Sequence, residues 1–223
     1  MKTSVVIPVY NEEDYIESCL KSLKKQIDRP DEIIIVDNNC TDKTIQIAKK
    51  YGVRIVQAKQ QGMSYARNAG FSSAKYEIIA RCDADAILPP SWIHKIKSVF
   101  AKKNIDALSG SFQFYDLPFK NIPFVTLYTD LMRVILRHRV FIGAAGFALK
   151  KSMWETVKDQ TCMDDSKVHE DIDLSIHIAK IGGEIYYDRS LVLKVSARRI
   201  KNDPKSFFLE YPTRIVKMLK DHR

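Results

Sequence analysis

Two aspartates one residue apart, Asp83-Ala84-Asp85, follow an apolar run that ends at Cys82. In an extended segment residues i and i+2 point to the same side, so both carboxylates can face one site. A hard divalent cation such as Mg²⁺ or Mn²⁺ takes oxygen ligands of this kind and fills its remaining positions with water and substrate phosphates. The same spacing suits a solvated turn before Pro89-Pro90, and these residues alone leave both uses open. Two other apolar runs also end in polar groups, one in Pro8-Val9-Tyr10-Asn11-Glu12 and one in Asp37-Asn38-Asn39. Several carboxylates gathered on one rim must be paired with cations, because unpaired like charges repel and raise one another's pKa.

The elements that must position these groups read as βα units on a mainly parallel sheet, with short β-branched runs alternating with amphipathic helical patterns. Residues 5–9 are expected as a buried strand, then a helix capped by Asn11 with Tyr15, Ile16, Cys19, Leu20 and Leu23 at helical spacing. Residues 33–36 form a second strand ending at Asp37, and the helix after Asp42 stops at Gly52. A strand over 53–56, a helix over 64–74, a strand over 76–82 and a helix opened by Pro89-Pro90-Ser91 follow. Beyond Asp106 the regularity loosens: a strand over 106–112, an apolar and basic helical stretch over 124–139, a strand over 143–149, a helix over 171–181 and closing strands over 184–187 and 191–195. In open α/β sheets ligands bind beyond the carboxyl ends of the strands, where the three acidic or polar termini fall.

The chain of 223 residues can bury a core as one domain, and it carries a formal charge of +9. That charge implies an anionic partner such as nucleic acid, an anionic lipid surface or a phosphorylated substrate. Much of the excess lies late, in Arg198-Arg199, Lys201, Lys205, Arg214, Lys217, Lys220 and Arg223. Arg198 or Arg199, after the last strand, suits a clamp on a diphosphate as well as it suits a solvated basic loop. Cys19, Cys40, Cys82 and Cys162 form no C-x-x-C pair, which points to reduced structural thiols. No apolar run approaches the roughly 18 residues of a membrane span, and the N-terminal run lacks signal-peptide features, so a cytoplasmic protein is expected.

The ordered set Val6-Ile7-Pro8-Val9-Tyr10-Asn11-Glu12, Glu32-Ile33-Ile34-Ile35-Val36-Asp37-Asn38-Asn39-Cys40-Thr41-Asp42-Lys43-Thr44, Gly62-Met63-Ser64-Tyr65-Ala66-Arg67-Asn68-Ala69-Gly70 and Asp83-Ala84-Asp85 closely resembles glycosyltransferase family 2. The likeness resumes at His169-Glu170-Asp171-Ile172-Asp173-Leu174. It implies an α/β GT-A fold, a nucleotide-diphosphate sugar donor, a divalent metal (Mn²⁺ or Mg²⁺) and transfer with inversion at the anomeric carbon. By the same resemblance Pro8, Tyr10 and Glu12 line the nucleotide pocket, Asp37 takes a base edge and Arg67 holds the nucleoside. Asp83 contacts ribose or metal, Asp85 is the principal metal ligand, and Glu170-Asp171 is the acidic pair, with Asp171 the base. Residues 1–105 then form the nucleotide-binding half and 106–223 the acceptor-binding half. Ala86 and Ile87 stand where the family often has a further acidic residue, so another segment, water or substrate must complete the metal shell.

Other uses of these residues are bland. Glu170 or Asp171 suits a helix start, where the dipole favours carboxylates, and Arg67 suits a helix surface. Asn38 and Asn39 suit a turn. The stretch over 124–139, with Arg133, Arg137 and Arg139, fits a membrane interface, the core or a dimer contact. With the basic stretch over 207–220 it suggests a peripheral protein at the inner face of a membrane, acting on a lipid-linked or cell-surface glycan acceptor. A sugar-phosphate nucleotidyltransferase is expected to carry a glycine-rich basic loop after the first strand, whereas Tyr10-Asn11-Glu12-Glu13-Asp14 is acidic. A nucleic-acid partner has no motif to support it. A catalytically silent nucleotide-sugar binder fits the same residues.

Overall fold

The computed structural model describes residues 1–117, 130, 145–203, 205, 210, 213–215, 217 and 218. Along the chain run β1 (Thr3–Val9), α1 (Ile16–Lys24), β2 (Glu32–Asp37), α2 (Thr44–Lys49), β3 (Arg54–Gln57), α3 (Met63–Ser73), β4 (Ile78–Cys82) and α4 (Trp92–Lys102). There follow β5 (Ala107–Phe114), β6 (Gly146–Lys150), α5 (Lys151–Val157), α6 (Glu170–Lys180), β7 (Ile185–Val195) and α7 (Arg198–Asn202). The strands form one sheet in the order β3-β2-β1-β4-β6-β5-β7. Among the described strands only β6 runs antiparallel to its neighbours, β4 and β5.

Alternation along the strands supplies two cores. Val5, Ile7 and Val9 of β1 pack with Ile16, Leu20 and Leu23 of α1 and Trp92 and Ile96 of α4. Val6 faces the opposite way, with Phe71 of α3, Trp154 of α5 and Leu174 of α6. Each such side chain contributes about 1.5–3 kcal/mol on burial. Both faces of β1 are therefore dry, and its polar terminus can open only at the carboxyl edge. There β1 lies between β2 and β4, whose connections leave in opposite directions, and this divergence opens a crevice.

Two expectations change, and one helix was not foreseen. Asn11 does not cap α1: it adopts a positive φ of 53°, its side chain accepts from the Thr41 N–H, and the helix starts at Ile16. The two closing strands are one strand, β7, whose register on β5 shifts between Ser109 and Ser111. Gly110 sits at that shift because a Cβ there would lie 2.2 Å from the Leu191 carbonyl oxygen, a backbone atom that cannot swing aside. Helix α5 had no expected counterpart. Residues 124–139 and most of 207–220 lie outside the described residues. Within the latter stretch, Ile215 and Met218 are buried against Val168 and Ile172, so these two apolar groups face protein.

Candidate active site

At the crevice the chain forms a cavity of about 290 Å³ lined by Pro8, Tyr10, Glu12, Asp83, Asp85, Arg198 and Arg199, with Asn38, Gly62 and Asp165 on its wall. Asp83 and Asp85 sit in the turn after β4, which is held from both sides. The Asp83 N–H donates to the Ala145 carbonyl, and Ile87 exchanges backbone hydrogen bonds of 2.7 and 3.1 Å with Lys194 of β7. Buried Ala84, Ala86 and Leu88 root the turn, leaving the alternate carboxylates toward the cavity.

Asp85 is almost fully buried, and desolvation, reinforced by the charge of Asp83, pushes its pKa up to about 6 despite Arg198. Burial likewise raises Glu12, against the opposing hydrogen bond and charge of Arg198. The Arg198 guanidinium bridges these two carboxylates: Nη2 donates to Glu12 Oε1, Nε lies 3.2 Å from Asp85 Oδ2, and its carbon stands 4.3 Å from the centre of the Tyr15 ring. Glu12 Oε2 is buried with no hydrogen-bond partner among the described residues. Among those residues no three His, Cys, Asp or Glu side chains close on one point as a finished metal cage. A half-shell of carboxylates under positive compensation still fits a hard divalent ion that takes its other ligands from phosphate and water. Asp85 and Asp83 would hold it, the cation neutralising charge on a diphosphate.

The second acidic group lies at the start of α6. Glu170 is buried between two arginines, with Oε1 3.0 Å from Arg81 Nη2 and Oε2 3.5 Å from Arg67 Nη1. Arg81 Nη2 also lies 3.0 Å from Asp83 Oδ1, so one buried guanidinium ties the rim of the cavity to α6. Asp171 is partly buried, and desolvation plus the neighbouring Glu170 charge raise its pKa to about 7, with Arg81 opposing. Neither residue caps the helix through its side chain, as the cap position belongs to His169. Glu170 is engaged by arginines, whereas among the described residues Asp171 accepts the adjoining Ile172 N–H through Oδ1.

Four expected residues stand off the cavity wall: Glu170 and Asp171 at the start of α6, and Arg67 and Asp37. Arg67, expected at the nucleoside, is fully buried and donates to the Glu170 backbone carbonyl, so it holds α6 rather than a ligand. Asp37 accepts from the Cys40 N–H at 2.8 Å, closing the turn after β2. Asn38 does more than form that turn: its Oδ1 accepts from the Gly62 N–H and draws the loop before α3 to the cavity.

Three contributors were not expected. Arg81 is a lone charge in the buried strand Ile78-Ile79-Ala80-Arg81-Cys82, and that incongruity was its available signal. Asp165 accepts from Met63 N, Ser64 N and Ser64 Oγ at 2.6–3.0 Å and fixes the start of α3 from a hundred residues away. Asp116 accepts from Ser196 Oγ at 2.8 Å and Ala197 N at 2.7 Å, and pairs with Lys201 at 3.1 Å, anchoring the segment that presents Arg198 and Arg199. Asp116→Ala is expected to weaken nucleoside-diphosphate binding about fivefold, the equivalent of roughly 1 kcal/mol, while Asp116→Asn stays near wild type. Calorimetric titration with UDP and GDP measures this, and equal affinity of Asp116→Ala and wild type would refute it.

A doubly wound sheet with an acidic, arginine-walled cavity at its switch point defines an α/β protein of the GT-A type. Residues 4–157 match the family Glycosyl transferase family 2, and the chain belongs to that family. It is 30% identical over 119 residues to Glycosyltransferase AglE of Haloferax volcanii, covering 50% of this chain and 39% of that protein. Among solved structures it resembles S. aureus TarS (residues 1–349) in complex with UDP-GlcNAc, with a TM-score of 0.71 and 22% identity over 89% of this chain and 59% of that one. It also resembles the mannosyltransferase PcManGT of Pyrobaculum calidifontis in complex with GDP-Man and Mn²⁺, with a TM-score of 0.72 and 21% identity over 99% of this chain and 62% of that one. The chain thus spans about two fifths of AglE. Among the described residues no helix is long and apolar enough to cross a membrane.

Proposed function

We propose that the chain acts as one GT-A domain that moves a sugar, with inversion, from a nucleotide-diphosphate sugar to an acceptor hydroxyl. Residues 1–105 bind the nucleotide and 106–223 the acceptor. The observation that carries this reading is the linkage of two carboxylate stations through one buried cation: Asp83 at the cavity and Glu170 beside Asp171 share Arg81. The diphosphate lies against Arg198 and Arg199, with Pro8, Tyr10 and Glu12 along the nucleotide, and Asp37 supports the base end by closing the turn after β2. Arg67 acts from beneath by holding α6. A divalent ion held by Asp85 and Asp83, when bound, supplies charge neutralisation on the departing diphosphate. Asp171 takes the acceptor proton as the hydroxyl oxygen bonds the anomeric carbon and the bond from that carbon to the diphosphate oxygen breaks. A single displacement of this kind inverts the anomeric centre.

Thermal-shift measurements with UDP, GDP and their sugars, with and without Mn²⁺, test the reading. The matching nucleotide at a hundredfold excess over Kd should raise the melting midpoint by about 5–10 °C, since binding contributes about 2.7 kcal/mol. Asp85→Ala should lose the Mn²⁺-dependent part. A protein indifferent to every nucleotide, or an Asp85→Ala variant that responds in full, would refute it.

The acceptor we propose is lipid-linked or a cell-surface glycan, reached by peripheral binding to an anionic membrane, a reading supported by the basic and apolar composition of residues 124–139. Reversing the charge of Arg133, Arg137 and Arg139 should abolish pelleting with anionic liposomes. Unchanged pelleting, or none by wild type, would reject membrane binding.

A further inference from the structure

The metal and nucleotide reading above leaves one feature of the cavity unexplained: the position reserved for a cation already holds one. Arg198 spends Nη2 on Glu12 and Nε on Asp85, the residue assigned as principal metal ligand. The contact is built rather than incidental. Asp116 anchors Ser196 and Ala197 immediately before Arg198, and the Tyr15 ring backs the guanidinium. Arg198 is itself partly buried, and Glu12 and Asp85 are mostly removed from water, so the attraction is weakly screened.

We propose that Arg198 is the internal counter-cation of the donor site, and that a divalent metal and the nucleotide diphosphate enter together by exchanging partners with it. In the exchange Asp85 passes from the guanidinium to the metal, and the guanidinium passes from the carboxylates to the diphosphate. The electrostatics require both halves. A divalent ion arriving alone would meet Arg198 at the same carboxylate group, and two cations in a half-buried site repel. A diphosphate arriving alone would meet the carboxylates of Glu12, Asp83 and Asp85. Arriving together, the charge of the metal and that of the diphosphate diester cancel, and the cavity keeps the balance that Arg198 gives it. Arginine suits the second half of the exchange, because its planar fork pairs with phosphate as readily as with carboxylate. Metal and diphosphate thereby become cooperative ligands, and the resulting coupling must be reciprocal.

The test is Mn²⁺ binding to the full chain, followed by electron paramagnetic resonance of the free ion, with Mn²⁺ alone and with saturating UDP or GDP. In wild type the nucleotide should tighten Mn²⁺ binding at least about fivefold, the lower end of ordinary couplings. Arg198→Gln should bind Mn²⁺ alone at least about fivefold tighter than wild type and lose most of the nucleotide-dependent gain. Arg198→Lys, which keeps a cation, should stay near wild type. Arg199→Gln removes an equal charge from a residue that makes no ion pair with Asp85 among the described residues, and should gain less than Arg198→Gln. Equal Mn²⁺ affinity of Arg198→Gln and wild type, while wild type still binds Mn²⁺ with nucleotide, would overturn the exchange and leave the metal site standing. Equal gains in Arg198→Gln and Arg199→Gln would also overturn it, as mere loss of charge. No Mn²⁺ bound by any form, with or without nucleotide, would overturn the metal reading and the exchange with it.

Discussion

Replacing Asp171 by Asn should lower kcat for sugar transfer by about 10²- to 10⁴-fold, the ordinary contribution of a positioned general base, while leaving Mn²⁺-dependent nucleotide binding intact. Asn keeps the volume and the hydrogen bond from Ile172 N–H but cannot take a proton. Wild type should carry the complementary signature in its pH dependence. Desolvation and the Glu170 charge hold Asp171 near 7, so the competent, ionised form is lost as pH falls. The rate of transfer should therefore drop about tenfold per pH unit below roughly 6.5 and level off above roughly 7.5. Donor consumption in the presence of acceptor, followed from pH 5 to 9, measures both effects. An Asp171→Asn enzyme within threefold of wild type, or an acid limb that survives in that variant, would remove Asp171 from the reaction.

The second large effect is expected at Arg81. This residue is buried, pairs with both Glu170 and Asp83, and lies 5.6 Å from the centre of the Phe147 ring. Arg81→Met leaves Glu170 with Arg67 alone and strips Asp83 of its partner, and breaking a buried pair from one side costs about 3–5 kcal/mol. At about 2–4 °C per kcal/mol for a chain of this size, the melting midpoint should fall by roughly 6–20 °C. Pairing Arg81→Met with Glu170→Met should recover little of the loss, because the fully buried Arg67 then loses its Glu170 carboxylate in turn. Arg81 also opposes the rise in the Asp171 pKa, so its removal should move the acid limb of the rate profile to higher pH. Denaturant unfolding of the two variants and the rate profile of the single variant decide the matter. A single variant that loses less than about 1 kcal/mol would show that the bridge is energetically idle.

The most legible elements were those whose evidence is local. The run Val5-Val6-Ile7-Pro8-Val9 is buried on both faces, as a central parallel strand must be, and its composition announced it. Asp83 and Asp85 were legible as a pair from their spacing after an apolar run, although a turn closed by the Ala86 N–H on the Asp83 carbonyl, and not backbone extension, sets both on the cavity. Asn11 misled for a related reason: asparagine suits a helix cap and a left-handed turn about equally, and only the Thr41 N–H arriving from the β2–α2 loop selects the turn. Arg67 was legible as an important residue and misread in its role, since burial against Glu170 depends on a helix a hundred positions later.

Local preference and alternation within the sequence determined the strands, the sidedness of their faces, the acidic termini and the family to which the chain belongs. Which of those termini share a cavity was decided by strand order, which sets β1 beside β4 and brings β7 back to pin the turn after Cys82. The partners of the charges were decided there too: Arg81 with Glu170, Asp116 with Ser196 and Ala197, Arg198 with Glu12 and Asp85. A hydrogen bond or ion pair acts over a few ångströms of space, whatever the separation along the chain. Groups that meet only after the sheet has closed leave no periodicity in the sequence by which the meeting can be foreseen.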